Sequence, residues 1–278
     1  MDPRPHPWNE SFAWQRPERD DYLLVTAEQA DAFHEQGFAL IEDVLDPATI
    51  DEVTTTLDER AGATEAFLRQ MPDERLSIAE VGAIVFSPHA VLSSDAARRF
   101  SANPVFAGLC HDLVGDDVRL YWDQLVYKHP EKPRQFPWHQ DNGYTYVEPQ
   151  QYLTCWVPLV DATIEHGCPW VVPGLHLGGT LAHTYVDPLG YQCLEDPEGA
   201  VAVPAAAGSI VVFSSLTPHM TGPNTTDEVR KAYILQYAPD GAERLDGNPS
   251  KGGPAGRSRQ NNPDRQFHVV VDGEPVPA

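Results

Sequence analysis

Pro137-Trp138-His139-Gln140-Asp141-Asn142-Gly143-Tyr144 carries an imidazole and a carboxylate two residues apart. On a strand, alternate side chains share a face, so His139 and Asp141 are expected to point the same way. Two such donors, joined by a histidine from elsewhere, make a 2-His-1-carboxylate metal site with three positions left open, a geometry suited to non-haem Fe(II). The same tripeptide also occurs in solvated loops. Its meaning depends on whether the rest of the chain supplies strands and a third donor.

The strands are there. After Gly115 the apolar pattern takes a period of two. Residues 118–128 alternate, with Trp122, Gln124, Val126 and Lys128 on one face. Further strand-like segments cover 135–141, 152–160, 170–172, 201–203, 209–213, 231–237 and 267–271, separated by Gly, Pro and Asp turns. Many short strands of this kind predict a sandwich or jelly roll.

Upstream the pattern is helical. Thr26 and Gln29 form a capping box, and Gly37 is a natural stop. Residues 38–41 read as a short strand. Asp46-Pro47 opens a second helix with Ile50, Val53 and Leu57 as its apolar stripe and Gly62 just past its end. Residues 92–113 hold one or two short helices broken at Pro104, and 63–95 show no clear pattern. Trp8, Phe12 and Trp14 are placed to pack an irregular N-terminal arm onto the body. Residues 239–265, rich in Gly, Pro, Arg and Asn, read as a long loop. The expected layout is one domain: an arm (1–25), a helical flank (26–115), a jelly-roll core (116–238), and a C-terminal loop and strand (239–278).

Composition narrows the function. The 278 residues are 41% hydrophobic and 22% charged, enough for a large core, and the formal net charge is −22. That balance argues against nucleic-acid binding, which wants a basic face. No apolar run approaches the ~20 residues of a membrane span. Residues 1–7 are polar and proline-rich and lack the apolar centre of a signal peptide. Cys110, Cys155, Cys168 and Cys193 include no Cys-x-x-Cys pair and read as buried thiols in a reducing compartment. A cytoplasmic chain without nucleic-acid or membrane partners is expected; its oligomeric state has no signature in the sequence.

The best third donor is His219, which follows an apolar strand in a turn-rich segment ending Thr221-Gly222-Pro223-Asn224. Arg230 then opens the next apolar strand. A buried guanidinium is costly unpaired. It needs either a structural acid or the carboxylate of a ligand, which its planar fork suits.

These residues together resemble the phytanoyl-CoA dioxygenase family. The resemblance rests on His139-Gln140-Asp141, on His219-x-Thr221-x-Pro223-Asn224 with Arg230, and on Trp156 through Asp161-Ala162-Thr163 to Glu165-His166-Gly167-Cys168 and Pro173-Gly174-Leu175-His176. It runs from about residue 26 to 237. It implies a mainly β, double-stranded β-helix (jelly roll, cupin-like) core with flanking N-terminal helices. It also implies an Fe(II)- and 2-oxoglutarate-dependent dioxygenase that consumes O2 and hydroxylates a small organic molecule, releasing succinate and CO2. His139, Asp141 and His219 match the family's iron ligands. Arg230 matches the residue that holds the distal carboxylate of 2-oxoglutarate, and Thr221 the hydroxyl beside it. Trp156 and Gln124 fall where the family places further co-substrate contacts. Related halogenases lack the carboxylate ligand, so Asp141 favours hydroxylation. His166, Pro169-Trp170 and Leu175 depart from the family pattern, on the substrate side. The rivals are a non-catalytic metal-binding jelly roll and a cupin-type metal hydrolase, which leaves Arg230 unexplained.

Other candidates are open to two readings. His166, His176 and His183 could serve as ligands, but second-layer or surface roles suit them better. Lys128 could meet an anion or snorkel to the surface. Tyr144, Tyr146, Trp170, Tyr185 and Tyr191 could rim a substrate mouth or fill the core. Residues 177–198 are long and weakly periodic, as expected of a lid.

Overall fold

The computed structural model describes residues 3–19 and 21–276. Its architecture follows from strands buried on both faces. In the Arg230–Pro239 strand, Ala232 and Ile234 point one way and Tyr233, Leu235 and Tyr237 the other. The first pair packs with Val126, Trp156, Val171, Val211 and Phe213. The second set packs with Phe33, Leu57, Phe100 and Phe106 from the helices. Covering both faces requires layers on both sides, which here are a second sheet inside and helices outside.

The main sheet runs in the order Phe38–Ile41, Ile210–Ser214, Leu153–Pro158, Arg230–Pro239, Val118–Lys128 and Ile84–Pro88, with antiparallel neighbours. The smaller facing sheet is Val201–Ala202, Pro169–Val171 and His219–Thr221. The result is the mainly β jelly roll expected, with helices from the N-terminal part against the main sheet.

The predicted caps are formed. Thr26 Oγ1 accepts from the Gln29 N–H, and Gly37 ends Ala27–Gln36 at φ +86°. Asp46 caps Pro47–Leu68 by accepting from the Thr49 N–H at 3.0 Å. That helix runs through Gly62, where a stop was expected. A glycine inside a helix costs about 1 kcal/mol. Burial of Ala61 and Leu68 on its two sides outweighs that.

Two further expectations are corrected. Residues 135–141 do not form a strand. Trp138 and His139 make isolated bridges, and Asp141–Tyr144 is a short helical turn. Pro133 and Pro137 each lack an N–H and cannot sustain a ladder there. Conversely, 239–265 is not all loop: Glu243–Asp246 pairs with Gly256–Arg259 and with Val147–Glu148. Those two strands are mostly exposed, so they carry no apolar alternation to read. Within 177–198, Thr184–Val186 and Gly190–Gln192 form a hairpin paired only with itself.

Candidate metal centre and its cavity

Backbone pairing brings the two histidines together. The His139 N–H donates to the His219 carbonyl at 2.9 Å, and the His219 N–H returns the bond at 2.8 Å. Their side chains are then oriented in the same way. His139 Nδ1 lies 2.8 Å from the Pro137 carbonyl and His219 Nδ1 lies 2.9 Å from the Thr217 carbonyl. A carbonyl only accepts, so each Nδ1 carries a proton, and in the neutral ring that leaves the Nε2 lone pair for a metal. Burial, then the neighbouring His219, pushes the His139 imidazole well below the usual histidine range, which keeps it neutral.

Asp141 completes the set from the first residue of its helical turn. Its Oδ1 is 3.8 Å from His219 Nε2. Its Oδ2 accepts a 2.5 Å hydrogen bond from Thr154 Oγ1 on the main sheet. One ligand atom from each of His139, Asp141 and His219 lies within 4.8 Å of the others. Two imidazole nitrogens and one carboxylate oxygen, with His139 and Asp141 on the wall of a cavity, fit ferrous iron with open positions.

Arg230 is the second feature. It is fully buried and forms no ion pair among the described residues. Nη1 donates to the Val126 carbonyl at 3.2 Å, while Nε and Nη2 are buried without a partner. Its Cζ lies 5.3 Å from the Trp156 ring centre. Burial pulls the Arg230 pKa down to about 9. Thr221 Oγ1 is likewise buried and unpartnered. These orphaned donors fit the distal carboxylate of 2-oxoglutarate, and the structural-acid role for Arg230 has no partner here.

Gln124 and Trp156 flank Ile234 from the strands on either side. Gln124 Oε1 accepts from Trp122 Nε1 at 2.8 Å, and the side chain lines the cavity that also reaches His139 and Asp141. Trp156 is 3% exposed, deeper between the sheets.

Lys128 is not a surface residue. It is 1% exposed, and its ammonium donates to the carbonyls of Arg134, Thr221 and Gly222 at 2.9, 2.8 and 2.6 Å. Three donors are thereby used, leaving none for an anion. His176, His183 and His166 lie outside the three-donor cluster. His176 Nε2 is 3.1 Å from the His34 carbonyl, His183 Nε2 accepts from the Gln140 N–H, and His166 Nδ1 meets the Asp161 carbonyl.

Among the aromatic candidates, Tyr144, Tyr185 and Tyr191 line the cavity. Tyr146 instead packs on His6 and Trp8, and Trp170 on the core between the sheets. The cavity has a volume of about 830 Å³. Thr154, Trp122 and Gln236 were not singled out from sequence. Trp122 shares the alternating face of Gln124 and was within reach; Thr154 was visible only as a hydroxyl in an apolar run.

The model of the phytanoyl-CoA dioxygenase (PhyH) family matches residues 33–232. A phytanoyl-CoA dioxygenase of Arabidopsis thaliana is 25% identical over 192 residues, 66% of this chain and 65% of that one, so the chain spans just under two thirds of that relative's length. The crystal structure of SnoK, a non-heme alpha ketoglutarate dependent carbocyclase from nogalamycin biosynthesis, aligns with a TM-score of 0.68 at 24% identity, over 89% of this chain and 96% of that one. The epimerase SnoN, solved with Fe3+, alpha ketoglutarate and nogalamycin RO, gives a TM-score of 0.64 at 24% identity, over 86% and 96%. At these identities the two structures establish likeness of fold. The family match covers well over half of the chain and takes in His139, Asp141, His219 and Arg230: the chain belongs to the phytanoyl-CoA dioxygenase family.

Proposed function

We propose that the chain is an Fe(II)- and 2-oxoglutarate-dependent dioxygenase that hydroxylates a small organic molecule. The observation that carries this is the buried Arg230, with two unpartnered donor nitrogens, in the same fold as the His139–Asp141–His219 cluster. Bound iron and 2-oxoglutarate would supply the oxidising chemistry, with O2 consumed and succinate and CO2 released. The chain's own part is binding, orientation and exclusion of water. His139, Asp141 and His219 hold the metal, and two neutral imidazoles with one carboxylate leave a divalent ion one net positive charge. That charge favours a chelating oxo acid, whose far carboxylate Arg230 and Thr221 neutralise and hydrogen-bond. Trp156 and Gln124 bound the same region.

A binding protein that only keeps the metal would have little use for a buried, unpaired guanidinium. A zinc hydrolase would not use Arg230 at all. The test is succinate formation from 2-oxoglutarate with and without ferrous iron. Iron-dependent succinate, even slow and uncoupled from a substrate, is expected. Tight binding of both iron and 2-oxoglutarate with no turnover under oxygen would favour the binding protein.

A further inference from the structure

We infer that the cavity over the metal centre takes a free, neutral, ring-rich molecule with a carbonyl or hydroxyl oxygen that Gln236 holds, and not an acyl group on coenzyme A or a phosphopantetheine arm. The inference rests on the oxygenase reading and names the substrate class of that site.

The first observation is the mouth. Ten large apolar or aromatic side chains are exposed among the described residues, and five of them, Phe67, Leu76, Tyr144, Tyr185 and Tyr191, line this one cavity. Exposed apolar surface gathered in this way marks a binding site. Aromatic contacts run inward from the rim. Tyr185 meets Tyr191 at 5.5 Å, Tyr191 meets Tyr144 at 5.3 Å and Tyr144 meets His139 at 5.1 Å between ring centres. Rigid rings of this kind suit flat apolar rings better than a flexible chain, and 830 Å³ admits several of them.

The second observation is charge. Arg60 is the one Lys or Arg on the cavity wall. Its three nitrogens already donate to Ser87 Oγ, Ser93 Oγ and the Pro88 carbonyl, at 2.9, 2.8 and 2.6 Å. Arg265 sits over the Trp122 ring, 6.0 Å from its centre, and does not line the cavity. Phosphates would find a single cation on the wall, held in place by two hydroxyls and a carbonyl, and a chain of net charge −22 around it.

The third is Gln236. It is 6% exposed, it lines the cavity, and its side chain makes no hydrogen bond among the described residues. Its amide is open to the cavity and has no protein partner to give up when a ligand arrives. This one lies on the strand of Arg230, at even spacing from it, so both face the interior. A neutral amide both donates and accepts, which suits a keto or hydroxyl oxygen.

The test is equilibrium dialysis of the full chain, loaded with ferrous iron and 2-oxoglutarate without oxygen, against 1-hydroxyanthraquinone, anthracene and hexadecanoyl-CoA. The hydroxyanthraquinone should bind at least tenfold more tightly than the thioester. Gln236→Leu should weaken it about five- to tenfold, the worth of one hydrogen bond to a buried site, and leave anthracene unmoved. Tyr191→Ala should weaken both ring compounds. Gln236→Met serves if the leucine variant does not fold. Thioester binding as tight as the quinone overturns the inference. So does no binding of either ring compound, or Gln236→Leu and Gln236→Met acting on quinone and anthracene alike or on neither. Labelled 2-oxoglutarate in the same cells separates the two levels: if it binds, such a result sinks the substrate class alone, and if it does not, the oxygenase reading falls and takes this one with it.

Discussion

Arg230 and Lys128 stand directly opposite one another across two neighbouring strands, and both are fully buried cations. Like charges in that position destabilise a sheet. The two are tolerated for different reasons. Three backbone carbonyls solvate the ammonium of Lys128, while Arg230 is left with unpaired donors. Lys128 thereby ties the segment carrying Thr221 to the main sheet. Lys128→Met relieves the repulsion but leaves the Arg134 and Gly222 carbonyls without a partner, while the Thr221 carbonyl keeps the Phe136 N–H at 3.1 Å. With about 1 kcal/mol lost per acceptor left unpaired, the net loss should reach roughly 2 kcal/mol. For a chain of this size that lowers the melting temperature by roughly 3–4 °C. The apparent 2-oxoglutarate constant should also rise severalfold, as Thr221 loosens. An unchanged or higher melting temperature would mean that repulsion from Arg230, not anchoring, dominates at Lys128.

Metal affinity should depend on Thr154, which touches no metal. Its hydroxyl holds Asp141 Oδ2, which leaves Oδ1 to face the histidines. Partners of this kind are typically worth 10–100-fold in metal affinity. Thr154→Val should therefore weaken ferrous binding by about that factor, with the fold intact by circular dichroism. His139→Ala and His219→Ala should abolish iron-dependent succinate formation altogether. Wild-type iron affinity in Thr154→Val would show that the helical turn alone aims Asp141.

Which parts were legible follows from the physics each residue obeys. The metal donors were readable because their chemistry restricts residue type. The expected reason for their alignment was wrong, though. A helical turn and Thr154 aim Asp141, and a backbone bridge pairs His139 with His219. Arg230 was readable because a charge inside an apolar strand demands an explanation. Lys128 was not, because alternation tells two faces apart without saying that both are covered. Gln236 was lost inside an apolar run, since an unpartnered amide has no sequence signature. The exposed strands Glu243–Asp246 and Gly256–Arg259 carry no periodicity.

Acid should destabilise the fold through His34. Burial, with help from Arg16 and His176 and against Asp31, pulls its pKa from the ordinary 6.5 down to about 4. Between those values the unfolded chain takes up a proton that the folded chain refuses. The stability from neutral His34 is therefore complete above pH 6.5 and is lost as pH falls toward 4. At pH 5 the loss is on the order of 2 kcal/mol. His34→Gln, neutral throughout, should lose correspondingly less between pH 7 and pH 5 in urea titrations. Equal losses in the two proteins would mean that His34 charges without cost.

Arg230 should act on 2-oxoglutarate and barely on iron. Its planar fork offers a carboxylate two parallel charge-assisted hydrogen bonds, and the unpartnered Thr221 Oγ1 offers a third. Removing one partner of a buried, hydrogen-bonded charge pair costs on the order of 2–5 kcal/mol. At about tenfold per 1.4 kcal/mol, Arg230→Ala should raise the apparent 2-oxoglutarate constant roughly 30-fold or more. Arg230→Lys keeps the charge and loses the fork, so it should fall between the two. A second cation beside Lys128 without the carboxylate is also a cost, so Arg230→Met, which fills most of the same space, should leave the melting temperature of the protein without 2-oxoglutarate unchanged or higher. Added 2-oxoglutarate should then stabilise the wild type far more than the variant. The measurements are 2-oxoglutarate titrations at saturating iron, thermal melts with and without the oxo acid, and a separate iron titration. An unmoved 2-oxoglutarate dependence in Arg230→Ala would make Arg230 a structural residue and remove the main physical support for the co-substrate site.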